Sequence, residues 1–461
     1  MSDIAPHAGS ATVSNPSLNL FTIPPTDLSV YSKRYVQINP FTTGINPVTF
    51  QIDPQEDYID FTQSYFEFEV GFKKANGGNL VAAENAFPVN NLSHSMIKQM
   101  NVRLNQTLIS EQSDTYSYKA YIETLLHHDR QDGETVLTPE GWQNYVDVPP
   151  LYTANNLDNA TPDAAWTALP ENQKTSITKA RGERAKYVGG KKNIMRFKPH
   201  SELFNLNKLI ITGIQIDLQI YFNNPEFYWN SVGGIATRLA EADIKVRLVL
   251  CQFRINPDVY RELAVKMESS KAVSYPTVRS EIRTYSFAND RRQYEINNPW
   301  QGRGPNLVVM ALVDTRAFNG DYTRDPFCFQ KMSLSSVKQL FRGEEYPYET
   351  LEIKHDGNDL DNRGYYRFLQ ATECLRKDRG NMLTEKDWGH NKNCTLFCFN
   401  NAANGDLFSS VLNPKQLGEI RYILNFGANP AANFTVILFA EFENLLEIDK
   451  NKAVTYDVYQ R

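Results

Sequence analysis

The 461-residue sequence predicts an all-β chain of two tandem eight-stranded jelly-roll sandwiches, a double jelly roll with long inserted loops and a short linker helix. Two observations lead there. Short segments alternate apolar and polar residues with period two, and clusters of Gly, Pro and Asn separate them. With 12% aromatics, 24 Gly and 23 Pro, the composition favours strands and turns over helical bundles. The second observation is that the second half of the chain repeats the first, motif by motif and in the same order.

Residues 1–44 read as an N-terminal arm and lead-in. The first 30 are rich in Ser, Pro, Ala, Asn and Thr without a periodic apolar pattern, which predicts a flexible arm. A first jelly roll is expected over 45–256, with strands near 48–52 (VTFQI), 65–72 (YFEFEVGF), 100–109, 208–222 and 244–253. A long loop insertion interrupts it at about 127–195. A helix is expected at 257–268: Asn256 caps it, Pro257 opens it, and Val259, Leu263 and Met267 share one face. Together with a connector to residue 276 it links the two copies. Strands resume in a second jelly roll over 277–449, near 281–287, 306–313, 394–399, 419–426 and 434–442, and residues 450–461 form a C-terminal tail.

Four motif pairs carry the repeat. SMIKQM (Ser95–Met100) matches SSVKQL (Ser335–Leu340), and YKAYI (Tyr118–Ile122) matches YYRFL (Tyr365–Leu369). GIQIDLQIYFNNP (Gly213–Pro225) then matches GEIRYILNFGANP (Gly418–Pro430), and LVLCQF (Leu248–Phe253) matches ILFAEF (Ile437–Phe442). Any one pair of alternating strands resembles another; four in one order mark a tandem duplication. Seven or eight strand candidates per copy, joined by long loops, fit a two-sheet jelly roll.

Charge and hydropathy narrow the function. The chain carries 48 Lys+Arg against 53 Asp+Glu, a net charge of −5, far from the cationic balance of a polybasic nucleic-acid coat. No run of 18 apolar residues could span a bilayer, and mean hydropathy is −0.47. Residues 1–30 show no basic region, apolar run and small-residue cleavage site, so synthesis inside the cell without a secretory signal is expected. The five cysteines are odd in number and all lie in the second half, which suits a reducing compartment rather than a disulfide framework.

At NLFTIPPTDLSV (Asn19–Val30) and YVQINPFTTGINPVTFQIDPQEDYIDFTQSYFEFEV (Tyr35–Val70) the sequence resembles the start of double jelly-roll, hexon-like major capsid proteins. The similarity is to those of Polinton/Maverick elements and adintovirus-like viruses. HSELFNLNKLIITGIQIDLQIYF (His200–Phe222) resembles the late strands of the family's first jelly roll, and the similarity continues to FAEFENLLEID (Phe439–Asp449). The resemblance implies a non-enzymatic structural role in the virion capsid. Homotrimers with six jelly rolls in a pseudo-hexagon would tile an icosahedral shell around double-stranded DNA. Implied partners are other copies of the chain, penton or minor capsid proteins and, indirectly, the packaged DNA. The alternative is a two-jelly-roll amidase acting on glycans, or a glycan-binding protein; such secreted amidases need a signal peptide and usually disulfides.

No catalytic, cofactor or metal site is assigned. His390, Cys394 and Cys398 are spaced H-x3-C-x3-C, but Cys394, Leu396 and Cys398 alternate on one strand face, which reads as core. Asp356, Asp359 and Asp361 fail the calcium-loop pattern, because Leu360 stands at its fifth position and no Glu closes it. Asp53, Glu56, Asp57 and Asp60 read as caps or turns into the next strand. Gly189–Lys192 (GGKK) lacks the upstream Gly of a phosphate loop and is followed by Asn193. The remaining candidate is a basic tract: Lys174, Lys179, Arg181, Arg184, Lys186, Lys191, Lys192, Arg196 and Lys198, with Glu183 the single acidic residue among them. It reads as a solvated loop or one contacting acidic loops of a neighbouring subunit, with DNA or another anionic partner as the alternative.

Overall fold

A computed structural model describes residues 9, 13, 15–42, 46–80, 86–110, 113–144, 185–187, 190–231, 239–269, 272–353, 362–376, 380–385, 387–388, 394–407 and 411–456. The first sandwich is built from β1 (Val30–Ile38), β2 (Val48–Ile52), β3 (Tyr58–Lys74), β4 (Ile97–Leu104), β5 (Thr107–Leu108), β6 (Lys192–Phe197), β7 (Ile216–Phe222) and β8 (Leu239–Ile255). The second uses β9 (Val273–Phe287), β10 (Gln293–Asn297), β11 (Leu307–Asp314), β12 (Leu334–Phe341), β13 (Glu344–Glu345), β14 (Leu396–Asn400), β15 (Ile420–Phe426) and β16 (Phe434–Ile448). Strand order is β1-β8-β3-β6 over β2-β7-β4-β5 in the first, and β9-β16-β11-β14 over β10-β15-β12-β13 in the second. Adding eight to each label of one sandwich gives the other. Both are antiparallel jelly rolls, and the four repeated motifs occupy equivalent places. SMIKQM and SSVKQL run into β4 and β12, the Asn-Pro-ended motifs become β7 and β15, and the last pair lies in β8 and β16.

The YKAYI and YYRFL motifs also correspond, as helices: α1 (Tyr116–His127) follows β5, and α3 (Arg363–Ala371) follows β13. Sequence periodicity had singled out neither. α1 is buried on nearly every side, so its one polar stripe is narrow, and its three tyrosines look strand-like in isolation. The expected linker helix is present as α2 (Pro257–Glu268), where the Asn256 side chain accepts from the Asp258 backbone N–H. Elsewhere strands begin earlier or later than the pattern indicates. β1 opens at Val30 within the lead-in, β9 at Val273 within the connector, and β6 at Lys192 within the expected insertion. Of the segment 208–222 only 216–222 is strand; Ile210 makes a single bridge to Ile59.

The core of the first sandwich is aromatic. Alternate residues of β3 point inward, and Phe66 and Phe68 pack on Phe50 and Phe197 with ring centroids 5.4 and 4.6 Å apart. Phe72 lies against Trp229 at 4.6 Å. The opposite face of β3 carries Glu67 and Glu69, paired across the sheet with Arg196, Arg247 and Lys192. Its counterpart β11 (LVVMALVD) is buried at every position. Val308, Met310 and Leu312 face the second sandwich's own core, whereas Leu307, Val309, Ala311 and Val313 join one continuous cluster with α1 and the first sandwich. Two-sided burial explains the unbroken apolar run. α1 fills the seam: Tyr121 stacks on Phe327 at 4.1 Å, and Tyr118 on Phe318 at 5.4 Å. The two jelly rolls therefore share a core. At the tail, Val454 pairs with Ile448 of β16, while the Lys452 carbonyl accepts from Asn105 of the first sandwich.

Candidate functional site

Between the sandwiches lies a cleft of about 860 Å³. Lys119, Glu123 and His127 stand four residues apart on α1, one above the other along a single helical stripe. Glu123 is the hub. One carboxylate oxygen accepts from Ser280 Oγ of β9 at 2.7 Å, and the other lies 2.7 Å from His200 Nδ1. A carboxylate can only accept, so Nδ1 carries the proton in this pair. Lys119 donates to Glu202 at 3.1 Å. Further along, the buried His94 ring sits 4.8 Å from that of His200, with its Nδ1 3.1 Å from the Tyr116 hydroxyl and its Nε2 3.4 Å from Glu140. His127 Nε2 is 3.7 Å from Glu441 of β16. Ser280 and Glu441 thus bring the second sandwich into a network rooted in the first.

Burial pushes the Glu123 carboxyl up, but the Lys119 charge and the His200 hydrogen bond outweigh it and hold the group down at about 2. Burial lowers His94, against the opposing pull of Glu140, and keeps the imidazole neutral. Glu140 also stays below the ordinary carboxylate range, because His94, His200 and the Lys198 N–H outweigh its desolvation. A general acid for amide or glycoside cleavage needs a carboxyl held above that range. Glu123 and Glu140 are shifted the opposite way and locked to fixed partners. The chemistry fits a brace between two domains. These residues went unremarked in the sequence because α1 did; the Lys119, Glu123, His127 spacing of four was the available signal.

The basic tract divides in two. Lys174, Lys179, Arg181 and Arg184 lie outside the described residues. Lys186 is exposed, its ammonium 5.2 Å from the Tyr187 ring centre, and Lys191 is exposed. Two of the last three cations are not in a loop: Lys192 and Arg196 are on β6, paired at 2.9 Å with Glu69 and Glu67 of the same chain, and Lys198 directly follows the strand. Lys198 is partly buried, which lowers its ammonium against the pull of Asp60 and Glu140. Strand pairing with β3 decides this, because Met195 and Phe197 turn inward and send Arg196 onto the carboxylate face.

Among the other candidates, His390, Asp356, Asp359, Asp361 and Gly189 lie outside the described residues. Cys394 and Cys398 are buried with Leu396 in the shared core, and burial pushes the Cys398 thiol well up. Asp60 accepts from the Thr62 backbone and hydroxyl and from Gln63, closing the bulge in β3, while Asp57 receives Arg34 at 2.7 Å. Among the described residues no group of three or more His, Cys, Asp and Glu could hold a metal ion, and no helix is long and apolar enough to cross a membrane.

No family model matches the chain. An uncharacterised protein of Caenorhabditis elegans is 21% identical over 369 residues, covering 78% of this chain and 80% of that one. Among solved structures, a chain of the Sputnik virophage particle aligns with a TM-score of 0.58 at 10% identity, covering 99% of this chain and 95% of that chain. The mavirus major capsid protein gives 0.54 at 10% identity over 98% and 96% of the two chains, and the Faustovirus major capsid protein 0.54 at 9% over 92% and 92%. The likeness spans both sandwiches and the seam between them.

Proposed function

We propose that this chain is a major capsid protein, the structural subunit of an icosahedral shell around double-stranded DNA. The observation that carries the reading is the pair of jelly rolls with identical strand order, fused through one core. Three such chains around an axis set six similar sandwiches at about 60° steps, so one gene product can meet six neighbours. The likeness to viral capsid chains over nearly the whole length supports it, and the motifs at Asn19–Val30 and Tyr35–Val70 favour the Polinton/Maverick and adintovirus-like lineage. The division into sandwiches over about 45–256 and 277–449 belongs to the same reading. Penton and minor capsid proteins complete the shell at its vertices and seams.

Within this reading Lys174, Lys179, Arg181, Arg184, Lys186 and Lys191 form the part of the basic tract that meets acidic loops of a neighbouring subunit. Lys192, Arg196 and Lys198 support it from the β6 side. Charge reversal at Arg181 and Arg184 is expected to weaken trimers, with high salt partly reproducing the loss. Normal trimers that instead lose salt-sensitive DNA retention would move the tract to the genome side. For the function itself, light scattering of the purified chain should give three times its 52.7 kDa mass, and electron microscopy should show hexagonal outlines. A monomer at every concentration would overturn the proposal.

A further inference from the structure

Two apolar surfaces of this chain are left uncovered among the described residues, and they lie side by side. The first is the arm. From residue 9 to 26 it carries no charged side chain, yet Leu18, Leu20, Phe21, Ile23 and Leu28 are all exposed, Phe21 at 97% and Ile23 at 87%. Large apolar side chains scattered singly on a surface need no explanation; five within eleven consecutive residues do. The second surface is the groove beneath α2. No residue of that helix is buried, although its Val259, Leu263 and Met267 face a groove of about 520 Å³ completed by Tyr58, Ile211 and Ile255. Leu263 remains 38% exposed.

The arm is rooted at the mouth of its own groove. The Asn256 side chain donates to the Leu28 carbonyl at 3.2 Å and its backbone N–H to Ser29 at 2.8 Å, and Ser29 and Val30 line the groove. From that root the arm runs outward. Ser29 is turned by Asp27, which accepts from its N–H at 2.8 Å. Pro24 and Pro25 then favour a stiff extended conformation, about 3.1 Å per residue, so residues 22–28 carry the turn at Leu20 and Phe21 roughly 20 Å from the root. An arm that leaves its own groove extended, with its apolar side chains in water, is matched in chemistry and reach to the same groove on another molecule. We infer that residues 18–28 of one copy dock in the groove beneath α2 of a neighbouring copy, with Phe21 and Ile23 as the anchoring side chains. The occupant is a second copy of this chain, so the inference rests on the self-assembly of the proposed function.

The test mixes two full-length variants, Phe21→Cys and Leu263→Cys, lets them co-assemble, and oxidises mildly. Both positions are exposed, so neither change threatens the fold. Peptide mapping should find a disulfide between position 21 of one chain and position 263 of another. At least tenfold less should form when Leu417→Cys, an exposed apolar site elsewhere, replaces the groove variant. A full-length Phe21→Ser/Ile23→Ser chain should keep its melting temperature while losing the docked contact, read as at least a tenfold weaker association between copies. Trimers that form without the 21–263 bridge overturn arm docking and leave the capsid reading standing; a chain that never self-associates overturns both. A bridge found only within a single chain carrying both cysteines, never between chains, also overturns it, since the arm would then fold back.

Discussion

Glu123 offers the sharpest test of the brace between the sandwiches. Its carboxylate sits at about 2 against an ordinary value of 4.5, a difference of roughly 2.5 units, or on the order of 3 kcal/mol of preference for the charged form in the folded chain. The folded value is depressed, so this stabilisation is present above pH 4.5 and fades as pH falls toward 2. Glu123→Gln retains the shape and a hydrogen-bonding amide but removes the charge that Lys119 and His200 face. At pH 7 the variant should lose about 2–3 kcal/mol, read as a lower midpoint in urea at fixed protein concentration. The difference between wild type and variant should shrink steadily below pH 4.5, remain at roughly half its size near pH 3, and nearly vanish only as pH falls to about 2 and below. Every other shifted carboxylate is common to both proteins, so the difference curve isolates Glu123. Two curves that run parallel from pH 7 to pH 3 would refute the charge argument and reduce Glu123 to packing. His94 acts earlier and in both proteins. Burial keeps its folded value below 6.5, so the unfolded chain takes up the extra proton, and stability should begin to fall as pH drops through 6.5.

Tyr121→Ala empties the stack on Phe327 at the seam and should cost about 3–5 kcal/mol, whereas Tyr366→Ala on the exposed side of α3 should stay within about 0.5 kcal/mol; matched chemical melts compare them. Gly364→Ala should destabilise by about 1–3 kcal/mol, because a Cβ there would meet Trp388 Cη2 at 1.8 Å and drive the indole from its 2.9 Å hydrogen bond to the Leu396 carbonyl. Arg196→Glu on the open face of the first sandwich should change stability by under about 1 kcal/mol, with the effect shrinking in high salt, since Arg247 remains on Glu67 at 3.1 Å.

Period-two patterning and internal repetition read most of this fold correctly. Residues 48–52, 257–268 and 434–442 form the expected elements, and the repeated Asn-Pro motif alone equates β7 with β15. What escaped was whatever tertiary burial overrides. α1 is enclosed on nearly all sides, so the broad polar face by which a helix usually announces itself shrinks to the narrow stripe of Lys119, Glu123 and His127, itself engaged in the Glu123 network. β6 hid inside a long basic segment, because Lys192 and Arg196 look like loop cations until Glu69 and Glu67 appear across the ladder. The single continuous run LVVMALVD did signal a strand. That its second face would close against the other sandwich is decided by Tyr118 and Tyr121, nearly two hundred residues earlier in the sequence.

The contrast between β3 and β11 bears on how such a chain could have evolved. At the same place in two copies of one sheet, the first copy carries carboxylates and arginines on its outer face, and the second carries Leu307, Val309, Ala311 and Val313 there. A sandwich released with those side chains in water would present a sticky apolar plate beside Ile437 and Phe439. Once the duplicated gene had accumulated that face, splitting it back into two independent products became a step toward aggregation. The fusion acts as a ratchet, easy to enter and costly to leave, and it holds the two halves in a fixed one-to-one ratio through every later change in their loops.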